Sequence, residues 1–102
     1  MVGITSYGAY IPFYRLPRTE VAKAWNNPML MAPGEMAVRN YDQDSLTMAV
    51  EASVDCLTGT DRKLVDGFFL ASTTFPYKEK MVSTIGAQAL DLRSDIRTSD
   101  FW

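Results

Sequence analysis

The spacing of apolar positions changes period several times along this chain, and each change marks the border of an element. From Val2 to Ile11, β-branched and aromatic residues are interleaved with small ones. That mixture predicts a strand ended by Pro12, which has no N–H to give to a ladder. Gly3 and Gly8 remove side chains where a second backbone or a helix can come close. Pro17 suits a helix start, where its missing N–H costs nothing. A short helix is therefore predicted from Arg18 to Trp25, closed by Asn26, Asn27 and Pro28. Pro28 to Asn40 keeps no sustained period and contains Pro33 and Gly34; it reads as a loop with a short irregular strand from Glu35 to Asn40. Met29, Met31 and Met36 within it read as adaptable packing.

The clearest periodicity runs from Gln43 to Leu57 and predicts a helix. At about 3.6 residues per turn, Leu46, Ala49, Val50, Ala52, Ser53, Val54, Cys56 and Leu57 share one wide arc, about half the cylinder. Thr47, Glu51, Asp55 and Thr58 form a narrow polar stripe. An arc so wide implies a helix enclosed by more protein than these residues supply. Asp42 is the expected N-cap, Asp44 adds negative charge to the first turn, and Gly59 is the expected stop. Val65 to Thr73 reads as a strand that is apolar on both faces in its middle, the pattern of a parallel strand covered above and below. Thr74, Phe75 and Pro76 make the turn after it. Lys78 to Leu90 is a second amphipathic helix, with Met81, Val82, Ile85 and Ala89 on one side, and a strand starts at Ile96 and runs to Trp102. Alternation of strands and helices in this order predicts an α/β fold with a mainly parallel sheet, without internal repeat and without a boundary between two domains.

Composition narrows the function classes. The chain has 102 residues, enough for one small domain, and its 47% apolar and 22% charged residues are those of an ordinary soluble globular protein. The net charge is −2 and Lys and Arg are not clustered, so nucleic acid is not an expected partner. Cys56 is the only cysteine and there is no histidine, so an intrachain disulfide, a metal-ligand spacing, and Ser-His-Asp or Cys-His catalysis cannot be assembled from these residues alone. The first residues lack the charged and apolar regions of a signal peptide, and apolar runs such as Phe68–Ala71 are far shorter than a membrane span, so a cytoplasmic protein away from membranes is expected.

Few side chains suggest chemistry. Cys56 falls in the apolar arc near a helix C-terminus, where the dipole disfavours a thiolate, and reads as packed and inert. Glu51 and Asp55 are spaced to share one face, but the face is the polar stripe, and solvation is the simpler reading. Asp61, Arg62 and Lys63 read as a surface turn. Ser72, Thr73 and Thr74 cluster at the carboxyl end of a strand, where open α/β sheets place ligands; hydroxyls serving the turn backbone are an equally good account. Lys78, Lys80 and Arg39 could meet an anionic group such as a CoA phosphate, or simply be solvated charge. Gly3 and Gly8 lack the third glycine or the Gly-Lys-Ser/Thr ending of a nucleotide-binding loop.

Several stretches in order resemble one family. VGITSYGAYIP (Val2–Pro12) resembles the opening strand of the thiolase-superfamily condensing enzymes. RLPRTE (Arg15–Glu20), Gly34–Glu35 and YDQDSLTMAVEA (Tyr41–Ala52) resemble the archaeal and bacterial 3-hydroxy-3-methylglutaryl-CoA synthase branch. VDGFFLASTTFPY (Val65–Tyr77) resembles its next strand and turn, and AQALDL (Ala87–Leu92) with RTSDF (Arg97–Phe101) its approach to the nucleophile. The 3-oxoacyl-acyl-carrier-protein synthase III branch is similar as well.

The resemblance implies the layered α-β-α-β-α thiolase-like fold, of which residues 1–102 would be the early part of the N-terminal half. It implies an acyltransferase that forms a carbon–carbon bond through an acyl-cysteine intermediate. The catalytic cysteine is expected a few residues after Trp102, with its histidine and polar partner much later. On that expectation no catalytic residue and no metal site lies here, and the chain alone is inactive. No tightly bound cofactor is expected. The implied substrate is a coenzyme A thioester or an acyl carrier protein, and the implied partners are the remainder of the condensing enzyme and a second copy, paired through the strand next to the nucleophile. One position departs from the pattern: where the synthases carry a glutamate general acid/base, this chain has Thr73, whose hydroxyl cannot shuttle a proton near neutral pH. Glu79 lies past the turn and is a poor substitute. Two alternatives stand beside this reading, a non-catalytic interaction subunit of a split enzyme and a fragment like synthase III.

Overall fold

The structure, a computed structural model, describes residues 2–30 and 33–102; Met31, read above as packing, lies outside the described residues. The chain forms two compact units, residues 11–42 and the rest.

In the smaller unit, strand β1 (Tyr14–Pro17) pairs antiparallel with β2 (Glu35–Val38), with Tyr14 opposite Val38 and Pro17 opposite Glu35. Helix α1 (Arg18–Ala24) leaves β1 directly, so Pro17 is its N-cap and not its first helical residue. It ends as expected: Trp25 is the C-cap and Asn26 takes a left-handed φ of 50°, a conformation that Asn tolerates well. A single 3₁₀ turn, Pro28–Leu30, follows. Arg15 donates to the carbonyls of Phe13 and Tyr14, each at 3.1 Å, and to that of Pro12. Ala22 is the buried residue of α1.

The larger unit contains helix α2 (Ser45–Cys56), strand β3 (Gly67–Ala71), helix α3 (Val82–Ala89) and strand β4 (Arg97–Phe101). β3 and β4 are parallel, in register from Gly67 opposite Arg97 to Ala71 opposite Phe101, and α3 is the crossover between them. The cap of α2 is Asp44, two residues later than expected. Its carboxylate accepts the Thr47 N–H at 2.8 Å while the Thr47 hydroxyl accepts the Asp44 N–H at 2.8 Å. This reciprocal pair satisfies two donors at once.

Two further expectations are corrected. Residues 2–12 carry no strand. A strand persists only with a neighbouring backbone to complete its ladder, and the contacts of this segment are with a helix instead: a Cβ on Gly8 would lie 2.4 Å from the Cys56 nitrogen, and Ala9 N–H donates to Asp55 Oδ2 at 3.1 Å. The second helix begins at Val82, not Lys78, because the Asp100 carboxylate on β4 receives the N–H groups of Val82 and Ser83 at 2.6 and 2.7 Å. Those donors have no partner within the helix. At the other end, Arg62 donates to the carbonyl of Leu90, the C-cap, at 2.6 Å, placing a cation on the negative end of the dipole. Arg93 ties the following loop to Val65 O (3.1 Å) and Asp66 (2.5 Å).

The packed face of the sheet lies under α3. Val82, Ser83, Ala87 and Leu90 are buried, and Gly86 lets the Phe68 ring approach to where a Cβ would meet it at 2.8 Å. On the opposite face Phe69 and Phe101 contact each other edge to face at 6.4 Å and stay 58% and 54% exposed. Among the described residues, the expected two-sided cover of this strand pair is therefore present on one side. No residue of α2 is fully buried, consistent with its wide arc.

Gly86→Ala sets two effects against each other. The alanine gains about 0.5–1 kcal/mol of helix propensity, and crowding Phe68 costs about 1–3 kcal/mol. A net loss of about 1–2 kcal/mol is expected from urea unfolding of the protein. Gly3→Ala, with nothing within 4 Å of the new carbon, should stay within about 0.5 kcal/mol.

Candidate functional site

The carboxyl ends of β3 and β4 bring together most of the residues that suggest chemistry. The ladder continues one step past β3, with Ser72 N–H donating to Phe101 O at 2.9 Å. Ser72 Oγ then accepts the Thr74 N–H at 3.0 Å and lies 3.2 Å from the Thr74 hydroxyl. The Thr74 carbonyl accepts from the Ser45 hydroxyl at 2.9 Å, which fastens the turn to the first residue of α2. The hydroxyls of Ser72 and Thr74 thus serve the turn backbone. Thr73 stands exposed at its crest. Phe75 and Trp102 stack edge to face at 5.1 Å and bridge the two strand ends.

Beside this turn, Lys78, Glu79, Lys80, Met81, Ser99, Asp100 and Trp102 line an open cleft of about 290 Å³. Two lysines and two acidic residues line it, so the cleft has no strong preference for an anion on charge alone. Lys80 lies 5.0 Å over the Tyr77 ring. Arg39 belongs to the other compact unit, where it donates to Asn40 O at 3.4 Å.

Asp100 is the most constrained ionisable group of this region. Burial would raise its pKa, but the Ser83 side chain and the Ser83 and Val82 N–H groups outweigh that and hold it below the ordinary value of 3.8. The Ser83 hydroxyl is buried near this carboxylate without a hydrogen-bond partner among the described residues, so the two backbone N–H groups, at 2.6 and 2.7 Å, are what bind Asp100. The same face of β4 continues at Thr98, whose hydroxyl is 3.0 Å from that of Thr84 and 3.4 Å from Met81 sulfur.

The other candidates fall elsewhere. Cys56 is half-buried near the end of α2, with the Ser6 hydroxyl 3.5 Å from its sulfur and donating to its carbonyl at 2.9 Å. Asp55 is not simply solvated, since it accepts the Ala9 N–H, and Glu51 is exposed on the polar stripe. Asp61 caps the 3₁₀ turn Arg62–Leu64, as a surface turn requires. Sequence reasoning missed Asp100. A signal was available: Asp is disfavoured in strands, and one near the end of β4 with no cation beside it in sequence calls for a backbone partner. Among the described residues, no group of three or more metal-ligating side chains occurs and no helix is long and apolar enough to cross a membrane.

A lowered carboxylate pKa makes stability pH-dependent in a defined direction. The contribution of Asp100 is fully present above the unfolded value near 3.8 and is lost as pH falls through the lower folded value. Urea midpoints measured downward from pH 5 should therefore fall in the unaltered protein. They should fall less steeply for Asp100→Asn, which starts lower by about 1–3 kcal/mol because it replaces a charged acceptor. Parallel curves for the two proteins would contradict the assignment.

No protein-family model matches the chain. It is 38% identical over 107 aligned positions to a hydroxymethylglutaryl-CoA synthase of Methanocaldococcus jannaschii, a match that covers 98% of this chain and 31% of the relative. Among solved structures, MvaS in complex with 3-hydroxy-3-methylglutaryl coenzyme A aligns with TM-score 0.80 at 21% identity, over 97% of this chain and 25% of that one. Cerulenin-bound OleA of Xanthomonas campestris aligns with TM-score 0.82 at 13% identity, over 96% and 34%. The expected thiolase-like α/β fold is the fold of this chain, which spans about a third or less of the proteins it matches.

Proposed function

From a chain homologous along its whole length to hydroxymethylglutaryl-CoA synthases, we propose that these residues are the N-terminal part of an acyl-CoA condensing acyltransferase of that type. The observation that carries the reading is the coverage: nearly the whole chain aligns with the relative, and only 31% of the relative with the chain. The exposed rings of Phe69 and Phe101 support it physically, since a parallel strand pair with one bare apolar face is half of a covered sheet.

In this reading β3, α3 and β4 are scaffold, and the reactive cysteine follows β4 a few residues after Trp102. Its thiolate attacks the thioester carbonyl, the bond from that carbon to the coenzyme A sulfur breaks, and coenzyme A leaves as its thiol after taking up a proton. The carbon beside the acyl-cysteine carbonyl then loses a proton and bonds to a carbonyl carbon of a second thioester, whose oxygen takes up a proton, and water cleaves the bond to the cysteine and returns its thiol. The substrate is a coenzyme A thioester, as the ligand of MvaS suggests. The enzyme acts in the cytoplasm as a homodimer joined along the open edge of β4. Cys56 takes no part, being packed beneath Ser6.

The test is intact-mass and peptide mapping of the polypeptide that carries this chain after incubation with acetyl-CoA. One acetyl group is expected on a cysteine shortly beyond Trp102. An adduct on Cys56, or none on any cysteine, would overturn the proposal. A second expectation concerns Thr73, which is exposed and cannot act as acid or base near neutral pH. Thr73→Ala should lower kcat less than about tenfold, whereas loss of a general acid/base costs about 100-fold to 10,000-fold. Steady-state condensation rates decide between them.

A further inference from the structure

We propose that Asp100 is a positioning residue for the acylation step: its carboxylate fixes the end of β4 against the start of α3, and so fixes where the chain beyond Trp102 leaves the sheet. This rests on the reading above, in which the reactive thiol follows that strand. The geometry is specific. The two carboxylate oxygens each take one N–H, Oδ2 from Val82 at 2.6 Å and Oδ1 from Ser83 at 2.7 Å. Both donors belong to residues with 0% exposure, so water does not compete for them. A carboxylate bound through both oxygens to two successive backbone groups has no freedom to rotate, and its own backbone is held by the parallel ladder opposite Leu70. The next side chains along, Phe101 and Trp102, are anchored to Phe69 and Phe75 through their rings.

The strand end is therefore held from α3 by charge-assisted hydrogen bonds and from β3 by its ladder and aromatic contacts. A nucleophile a few residues further on inherits this placement. Displacements of about 1 Å from the reactive geometry cost on the order of 100-fold in rate, so a clamp remote from the substrate can govern chemistry without touching it. The neutral amide of Asp100→Asn keeps the shape but offers a single acceptor oxygen, and its NH2 group faces a second N–H donor. The clamp is then half broken and locally repulsive.

The experiment uses the full-length enzyme that carries this chain, with acylation by acetyl-CoA followed by rapid quench. Asp100→Asn should acylate at least about tenfold more slowly, with acetyl-CoA KM changed less than about twofold, while its far-ultraviolet spectrum stays that of the unaltered enzyme. Val82→Pro provides a second variant should Asp100→Asn fail to fold. It deletes one of the two donors at the first helical position, where proline is tolerated, and it should slow acylation to an intermediate degree. Acylation at the unaltered rate in a folded variant would overturn the clamp while leaving the proposed function intact. Absence of any acyl-cysteine in the unaltered enzyme would overturn both.

Discussion

A parallel strand pair is ordinarily covered on both of its faces, and among the described residues β3 and β4 are covered on one. α3 closes over Phe68 and the Thr98–Asp100 face, with Gly86 admitting the ring. On the other face the rings of Phe69 and Phe101 meet each other and are otherwise more than half exposed. Covering them completely would stabilise the fold by roughly 2–3 kcal/mol per ring at ordinary transfer values. Against a net stability of about 5–15 kcal/mol for a domain, that is a large share to leave in water. The apolar arc of α2, none of it fully buried, makes the same demand from a second element.

The connection from sequence to function passes through the one carboxylate that joins layer to layer. Asp100 replaces the missing intrahelical partners at the start of α3, and in doing so holds helix and strand in one relation. Arg62 does the complementary work at the other end of α3 with a positive charge on the Leu90 carbonyl. A helix with its positive end on an anion and its negative end on a cation is pinned at both termini. The surface turn after β3 is pinned too, through Ser45, but its crest at Thr73 is free. Rigid strand ends with one exposed position between them are a frame on which a condensing site can be built.

Much of this frame was legible in the chain itself. The long period of α2, the apolar middle of β3, the short α1 stopped at Asn26, and the parallel α/β order all arise from local patterns that tertiary context reinforces. Most of what failed to show was set by partners distant in sequence. Residues 2–11 have strand composition, yet composition does not supply a neighbouring backbone, and Gly8 instead lets the segment rest on α2. Lys78–Met81 continues the helical pattern of α3, but the helix starts where Asp100, 18 residues from Val82, receives its first N–H. The cap of α2 shifted from Asp42 to Asp44 because Thr47 returns the bond. β1 is four residues long, too short for alternation to register. At the candidate site, Ser72–Thr74 do lie at the end of β3, where the hydroxyls of Ser72 and Thr74 serve the turn backbone, while Asp100 went unseen because its importance lies in two backbone groups and not in a motif.

The account stands on the bare face of β3 and β4 being the seat of further protein. The most direct measurement is a thermal melt of the isolated 102-residue chain in the presence of a dye that fluoresces on apolar surface. A broad transition with strong emission already in the cold is the predicted result. A sharp, cooperative transition with little emission would show that these residues complete their own core, and would contradict the account.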